Sequence, residues 1–176
     1  MLKSLLILSL SSIAMADPCR PNTLQYYFDE PRMQCFPIRY SECPDNTDNI
    51  FDKLRQCELH RLPMDFNKCA ANSPSVKRAN GESHCFSEED PIKGKETKCP
   101  SGSFCSMGFR VGMCCDSKIE EEYNKDMAAT CSSGKTSIKR ENDDFNRIFF
   151  GKTCEHNFCP EASECVQGKY LAHCCK

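Results

Sequence analysis

The chain has 176 residues, a formal net charge of −2 and 16 cysteines. Leu, Ile, Val and Phe supply only 25 of the 160 residues after position 16, and all 16 cysteines lie in that stretch. This argues against one large apolar core, and with it most cytosolic enzyme folds. The absence of a basic surplus argues against a nucleic-acid partner.

The N-terminus comes first. Met1-Leu2-Lys3 is a short positive start, Ser4 to Ile13 is apolar, and Ala14-Met15-Ala16 is a small-x-small cleavage site. Residues 1–16 therefore read as a secretory signal peptide cut before Asp17, too short in its apolar part for a membrane span. No later apolar run is long enough to span either, so the mature chain is expected to be secreted and extracellular. In that oxidising compartment an even cysteine count reads as disulfides. Zinc is a poor competitor, because no paired Cys-x-x-Cys knuckles occur. No metal and no cofactor is expected.

The cysteines fall into groups of four, six and six. The first group is Cys19, Cys35, Cys43 and Cys57. Within it, Tyr26-Tyr27-Phe28 and Cys35-Phe-Pro-Ile-Arg-Tyr40 flank a polar segment with Pro31, which predicts a β-hairpin. Asp52 to His60 reads as a helix capped by Asp52. Cys57 on that helix could reach Cys35 on the hairpin, closing a loop worth about 3 kcal/mol.

These residues resemble a Kunitz domain, the bovine pancreatic trypsin inhibitor type, over Asp17 to about Arg61. Pro18-Cys19-Arg20 is similar to the family's reactive-site start. Cys19-x15-Cys35-x7-Cys43, the aromatic run Tyr26 to Phe28, Tyr40 and Asn49-x-Phe51 follow its pattern. The resemblance implies an α+β module over 17–62, with pairs Cys19–Cys43 and Cys35–Cys57. It implies that Arg20 enters the primary pocket of a trypsin-like serine protease and that Pro21 follows the reactive bond. A basic side chain suits a pocket ending in a carboxylate.

The sequence departs from the family in four ways. The first and last family cysteines are absent, and Arg61 stands where the last would be. Ser41 and Glu42 replace two glycines, so a glycine-only conformation there would force the loop to shift. Cys57 falls one residue late. Pro21 lacks an N–H and restricts Arg20 to extended geometry. The alternative function is a non-inhibitory extracellular matrix or interaction protein on the same scaffold.

After a linker over Leu62 to Lys68, two groups of six form an internal repeat. The first copy spans 69–115 with Cys69, Cys85, Cys99, Cys105, Cys114 and Cys115. The second spans 131–176 with Cys131, Cys154, Cys159, Cys165, Cys174 and Cys175. Both open with C-x5-S-[VI]-K-R-x-N and close with C-P-x4-C-x8-C-C. The pattern resembles the lustrin-type cysteine-rich repeat, which implies matrix or interaction roles. The whey-acidic-protein type shares the Cys-Cys ending. Two irregular cysteine-rich repeats are expected, and six cysteines allow 15 connectivities among which sequence does not choose.

Residues 116–130 join the repeats. Ser117-x-x-Glu120 reads as a capping box, and Ile119, Tyr123 and Met127 recur at helical spacing, predicting a helix from about Lys118 to Ala128. Glu121 and Lys125 are placed to pair. The alternative is a charged, solvated linker. Lys77-Arg78 and Lys139-Arg140 read either as convertase sites or as a duplicated surface strand. No catalytic constellation is present, and His60, His84, His156 and His173 read as surface residues.

Overall fold

The computed structural model describes residues 18–63, 67–86, 98–108, 111–132, 134–140 and 146–176. The proposed signal peptide, Met64–Phe66 of the first linker and Asn142 of the repeat motif lie outside them. Eight disulfides use all sixteen cysteines. Among the described residues they hold three small antiparallel sheets, each of three strands.

The first sheet is a hairpin of β1 (Leu24–Asp29) and β2 (Gln34–Arg39), with β3 (Ile50–Phe51) on the far side of β1. Its turn closes where the Met33 amide donates to the Glu30 carbonyl at 3.0 Å. Pro31 at the second turn position fits because its fixed φ suits that site. Asn49 extends the sheet: its amide group exchanges two hydrogen bonds with the Phe28 backbone, at 2.8 and 3.2 Å.

Helix α1 (Leu54–Arg61) packs on this hairpin. Cys57 is fully buried and bonds Cys35, while Cys19 bonds Cys43. The core here is Cys35, Phe51 and Cys57 beneath Tyr26, Phe28 and Leu54. Disulfides replace aliphatic bulk, as the composition requires. Asp52 does not cap this helix. The N-cap is Lys53, with no side-chain cap bond; the Asp52 carboxylate is turned instead toward Arg20 and Gln25.

The second sheet has the order β4-β6-β5 and the third β7-β9-β8. Their strands are β4 (His84–Cys85), β5 (Ser103–Met107), β6 (Gly112–Asp116), β7 (Phe150–Gly151), β8 (Glu164–Gln167) and β9 (Ala172–Cys175). Disulfides join Cys69–Cys115, Cys85–Cys105 and Cys99–Cys114 around one sheet. They join Cys131–Cys175, Cys154–Cys165 and Cys159–Cys174 around the other. Each of the adjacent cysteines at a strand end thus has a partner elsewhere. Val76 donates to the Cys114 carbonyl and Ile138 to that of Cys174, which places the segment after each opening cysteine alike. The third sheet buries Phe149 and Phe158 edge to face, 5.3 Å apart, and Leu24 of β1 packs on that core.

Between these sheets runs α2 (Ser117–Met127). Its cap is Asp116, not Ser117. Asp116 ends β6 in an extended conformation, so its carboxylate reaches the Lys118 and Ile119 amides at 2.8 and 3.1 Å. Ser117 is already helical and Glu120 accepts from the Ala70 amide at 2.8 Å. Glu121 and Lys125 pair at 2.9 Å on the exposed face.

The helix is a strut, not a solvated linker. Tyr123 reaches Gln34 of β2, and Asp126 takes the amides of residues 169–171 in the β8–β9 connection. Two histidines also depart from the surface reading. His173 is 5% exposed within β9, and His156 is half-buried, edge-on to Tyr27 at 5.2 Å. The Arg78 side chain of the first dibasic pair is only 14% exposed and donates to Glu82, which leaves a convertase little to grip.

Candidate protease-binding loop

The segment leading into β1 is fixed at both ends. Cys19 is bonded to Cys43, a closure over 24 positions. Further on, the Asn22 amide donates to the Tyr40 carbonyl at 2.7 Å. Between these anchors Arg20, Pro21, Asn22 and Thr23 form a turn, in which the Thr23 amide donates to the Arg20 carbonyl at 3.3 Å. Asn22 holds φ +58°, and the preceding residue is proline. That is the pattern of a type II turn, which needs positive φ at its third residue and favours proline at its second.

Gln25 organises the loop from below. It is fully buried on β1, where a polar side chain must find partners. Its Oε1 accepts from the Arg20 amide at 2.9 Å. Its Nε2 donates to the Pro18 carbonyl at 3.2 Å and to Asp52 Oδ1 at 2.9 Å. The same Asp52 oxygen accepts from Arg20 Nη2 at 2.5 Å. Arg20, Gln25 and Asp52 therefore close a ring. The ring holds both the backbone and the side chain of Arg20, which stays 53% exposed.

Sequence reasoning marked Arg20 and Pro21 but missed Gln25 and Asp52 as their supports. Gln25 and Asp29 share one face of β1. Both are buried. Asp52 preceding a helix read as a cap.

Ser41 and Glu42 do not need a glycine conformation. Among the described residues eight non-glycine positions have positive φ, and neither is one of them. Arg61 anchors the end of α1. Its guanidinium lies over the Phe51 ring at 5.6 Å and donates to the Asp48 carbonyl at 2.7 Å. It so ties the end of α1 back to the segment before β3. His60 stacks on the same ring at 5.9 Å.

The family model of the Kunitz/bovine pancreatic trypsin inhibitor domain matches residues 11–60. A BPTI/Kunitz inhibitor domain-containing protein of Caenorhabditis elegans is 32% identical over 168 residues, covering 94% of this chain and 88% of that protein. The major allergen Ani s 1 of Anisakis simplex is 30% identical over 154 residues, covering 88% of this chain and 76% of the allergen. The chain belongs to the family of BPTI/Kunitz inhibitor domain-containing proteins. No solved structure matches it significantly. The similarity is not confined to the first module, since it runs through most of both later units. Kunitz domains are inhibitors rather than enzymes, typically bind serine proteases, and their disulfides suit an extracellular setting.

Proposed function

We propose that the protein is a secreted, serine-protease-inhibitor-like protein whose Arg20 enters the acidic primary pocket of a trypsin-like enzyme. The observation that carries this reading is the Arg20–Gln25–Asp52 ring on the Cys19–Cys43 anchor. It presents a half-exposed basic side chain on a backbone ordered in advance. Pre-ordering is what such inhibition needs, because the cost of fixing the loop is then not charged against binding. The Thr23–Arg20 bond is long, at 3.3 Å, so opening it toward the enzyme's oxyanion donors costs little.

In this reading the chain divides into a signal peptide (1–16), a Kunitz-like module (17–62), two lustrin-like repeats (69–115 and 131–176) and a helical connection (116–130). The parallel strand orders and disulfide patterns of the two later units support the duplication.

A second reading has its own observation. The turn at Pro21-Asn22 bends the chain where an inhibitor loop runs extended, and Pro21 offers no N–H to an enzyme backbone. That favours a matrix or interaction protein that keeps the scaffold without inhibition.

Titration of the oxidised mature protein against trypsin separates the two. Stoichiometric loss of activity, abolished by Arg20→Ala, establishes the inhibitor. Full activity at large molar excess, with the Arg20–Pro21 bond intact, establishes the second reading for trypsin-like partners.

A further inference from the structure

We infer that Asp52 is an internal competitor for Arg20: it holds the side chain that the protease pocket would take, and so sets how acidic a pocket must be to capture it. This inference rests on reading Arg20 as the residue that enters the pocket.

The geometry is specific. Arg20 Nη2 lies 2.5 Å from Asp52 Oδ1, across the loop from its own backbone amide, which Gln25 holds. The Asp52 side chain is 32% exposed and that of Arg20 53%, so the pair sits at the surface, where an incoming enzyme meets it. The two ring members act differently. Gln25 fixes the backbone and leaves the guanidinium alone. Asp52 offers the guanidinium a carboxylate, the same chemistry that a trypsin-like pocket offers.

Entry into a pocket therefore exchanges one carboxylate for another. An acidic, desolvated pocket wins that exchange, because charge pairing strengthens away from water. A pocket that merely tolerates a basic side chain does not, since it gives nothing in return for Asp52. The pair thus narrows the targets to enzymes with a buried acidic pocket. It also slows their capture of Arg20.

Asp52→Asn tests this with little change of shape. The asparagine oxygen still accepts from Gln25, so the backbone stays ordered while the competing charge is lost. Asp52→Glu keeps the charge and serves as the control. Arginine labelling by phenylglyoxal, mapped by peptide mass, reads the latch without any protease, with Arg55 and Arg61 as internal standards. Exposed ion pairs of this kind change an equilibrium by about 2–5-fold. Arg20 is therefore expected to label about 2–5-fold faster in Asp52→Asn, with Asp52→Glu near the parent. The gap should close at high salt, where surface pairs are screened.

The association rate with trypsin should rise by a similar factor in Asp52→Asn and vanish in Arg20→Ala. Equal labelling of Arg20 in parent and Asp52→Asn overturns the latch, whatever the protease result. Arg20-dependent inhibition with an unchanged association rate overturns the gating role and leaves the inhibitor reading intact. Faster labelling with no Arg20-dependent inhibition removes the gating role and the inhibitor reading together, leaving only the ion pair.

Discussion

Lys152 of the third cysteine-rich unit reaches across 123 positions of sequence to pair with Asp29, a carboxylate only 5% exposed at the end of β1. Asp29 also accepts from the Arg32 amide at 3.0 Å. The hairpin is thus built into the rest of the chain. Arg39 donates to the Asn157 and Cys159 carbonyls, and Arg32 to that of Tyr170. A module that lacks one family disulfide gains in exchange a set of charged contacts with its neighbours. Removing Lys152 leaves a buried carboxylate with one partner fewer. Lys152→Met is expected to cost about 1–3 kcal/mol of unfolding free energy, short of the full buried-pair figure because Lys152 is partly exposed. Chemical denaturation of the oxidised protein checks this. Asp29→Asn alongside Lys152→Met should cost less than the two single changes added.

Arg61 should matter more than a surface arginine normally does. It contributes a cation–π contact with Phe51 and a hydrogen bond to the Asp48 carbonyl. Arg61→Ala is expected to lower stability by about 1–2 kcal/mol. Arg61→Lys should recover less than half, because an ammonium cannot stack and donate in the same plane. A loss below the error of the melt for both variants would mean that Arg61 does not hold the end of α1.

Local features were legible in the sequence where they rest on local chemistry. The hairpin declares itself by aromatic strands around a Pro-containing turn, and α2 by its apolar spacing. Their ends were not. Asp52 and Asp116 both precede a helix, yet only Asp116 caps. The difference is Arg20, 32 positions away, which claims Asp52. Gln25 and Asp29 are polar yet buried, because the loop above one and Lys152 beside the other give them partners. His173 looked like a surface histidine because nothing local announces that β9 is the central strand of its sheet. Each miss is a contact distant in sequence that overrides a local rule.

Asp126 shows what the helix between the two cysteine-rich units does. Its carboxylate accepts from the amides of Lys169, Tyr170 and Leu171, at 3.2, 2.5 and 2.9 Å. A carboxylate bonded to several amides is a strong anchor, since each bond is charge-assisted. Asp126→Ala should destabilise the protein by about 2–3 kcal/mol. Gly168 lies directly against this carboxylate, and a methyl group there would overlap it. Gly168→Ala should therefore displace Asp126 and lose much of the same energy. The two changes together should cost clearly less than their sum. Full additivity in denaturation experiments would show that the carboxylate does not clamp this turn.

Alkaline pH should move stability in two opposite directions. Burial pushes the Lys68 amine down to about 8, against the pull of Asp29 and with help from Arg32. An unfolded lysine titrates near 10.4, so between those values the unfolded chain binds more protons than the native one. Stability must then rise with pH from about 8 to about 10. The gain is held to about 1 kcal/mol, because the amine is only half-buried and water screens it. It also donates to the Arg32 and Met33 carbonyls, which favours its charged form. Tyrosines act above that range. Burial raises the Tyr27, Tyr40 and Tyr123 hydroxyls above their ordinary value. Their protons are held more tightly in the native state, so the stability they contribute is complete below about pH 10 and is lost above it. Unfolding free energy measured from pH 7 to 11.5 should climb, peak near pH 10 and fall. Lys68→Met should abolish the climb and leave the fall. Phenolate absorbance should show the three tyrosines ionising late and together with unfolding. A level free energy between pH 8 and 10 in the parent protein would mean that the two carbonyls, not burial, decide the charge on Lys68.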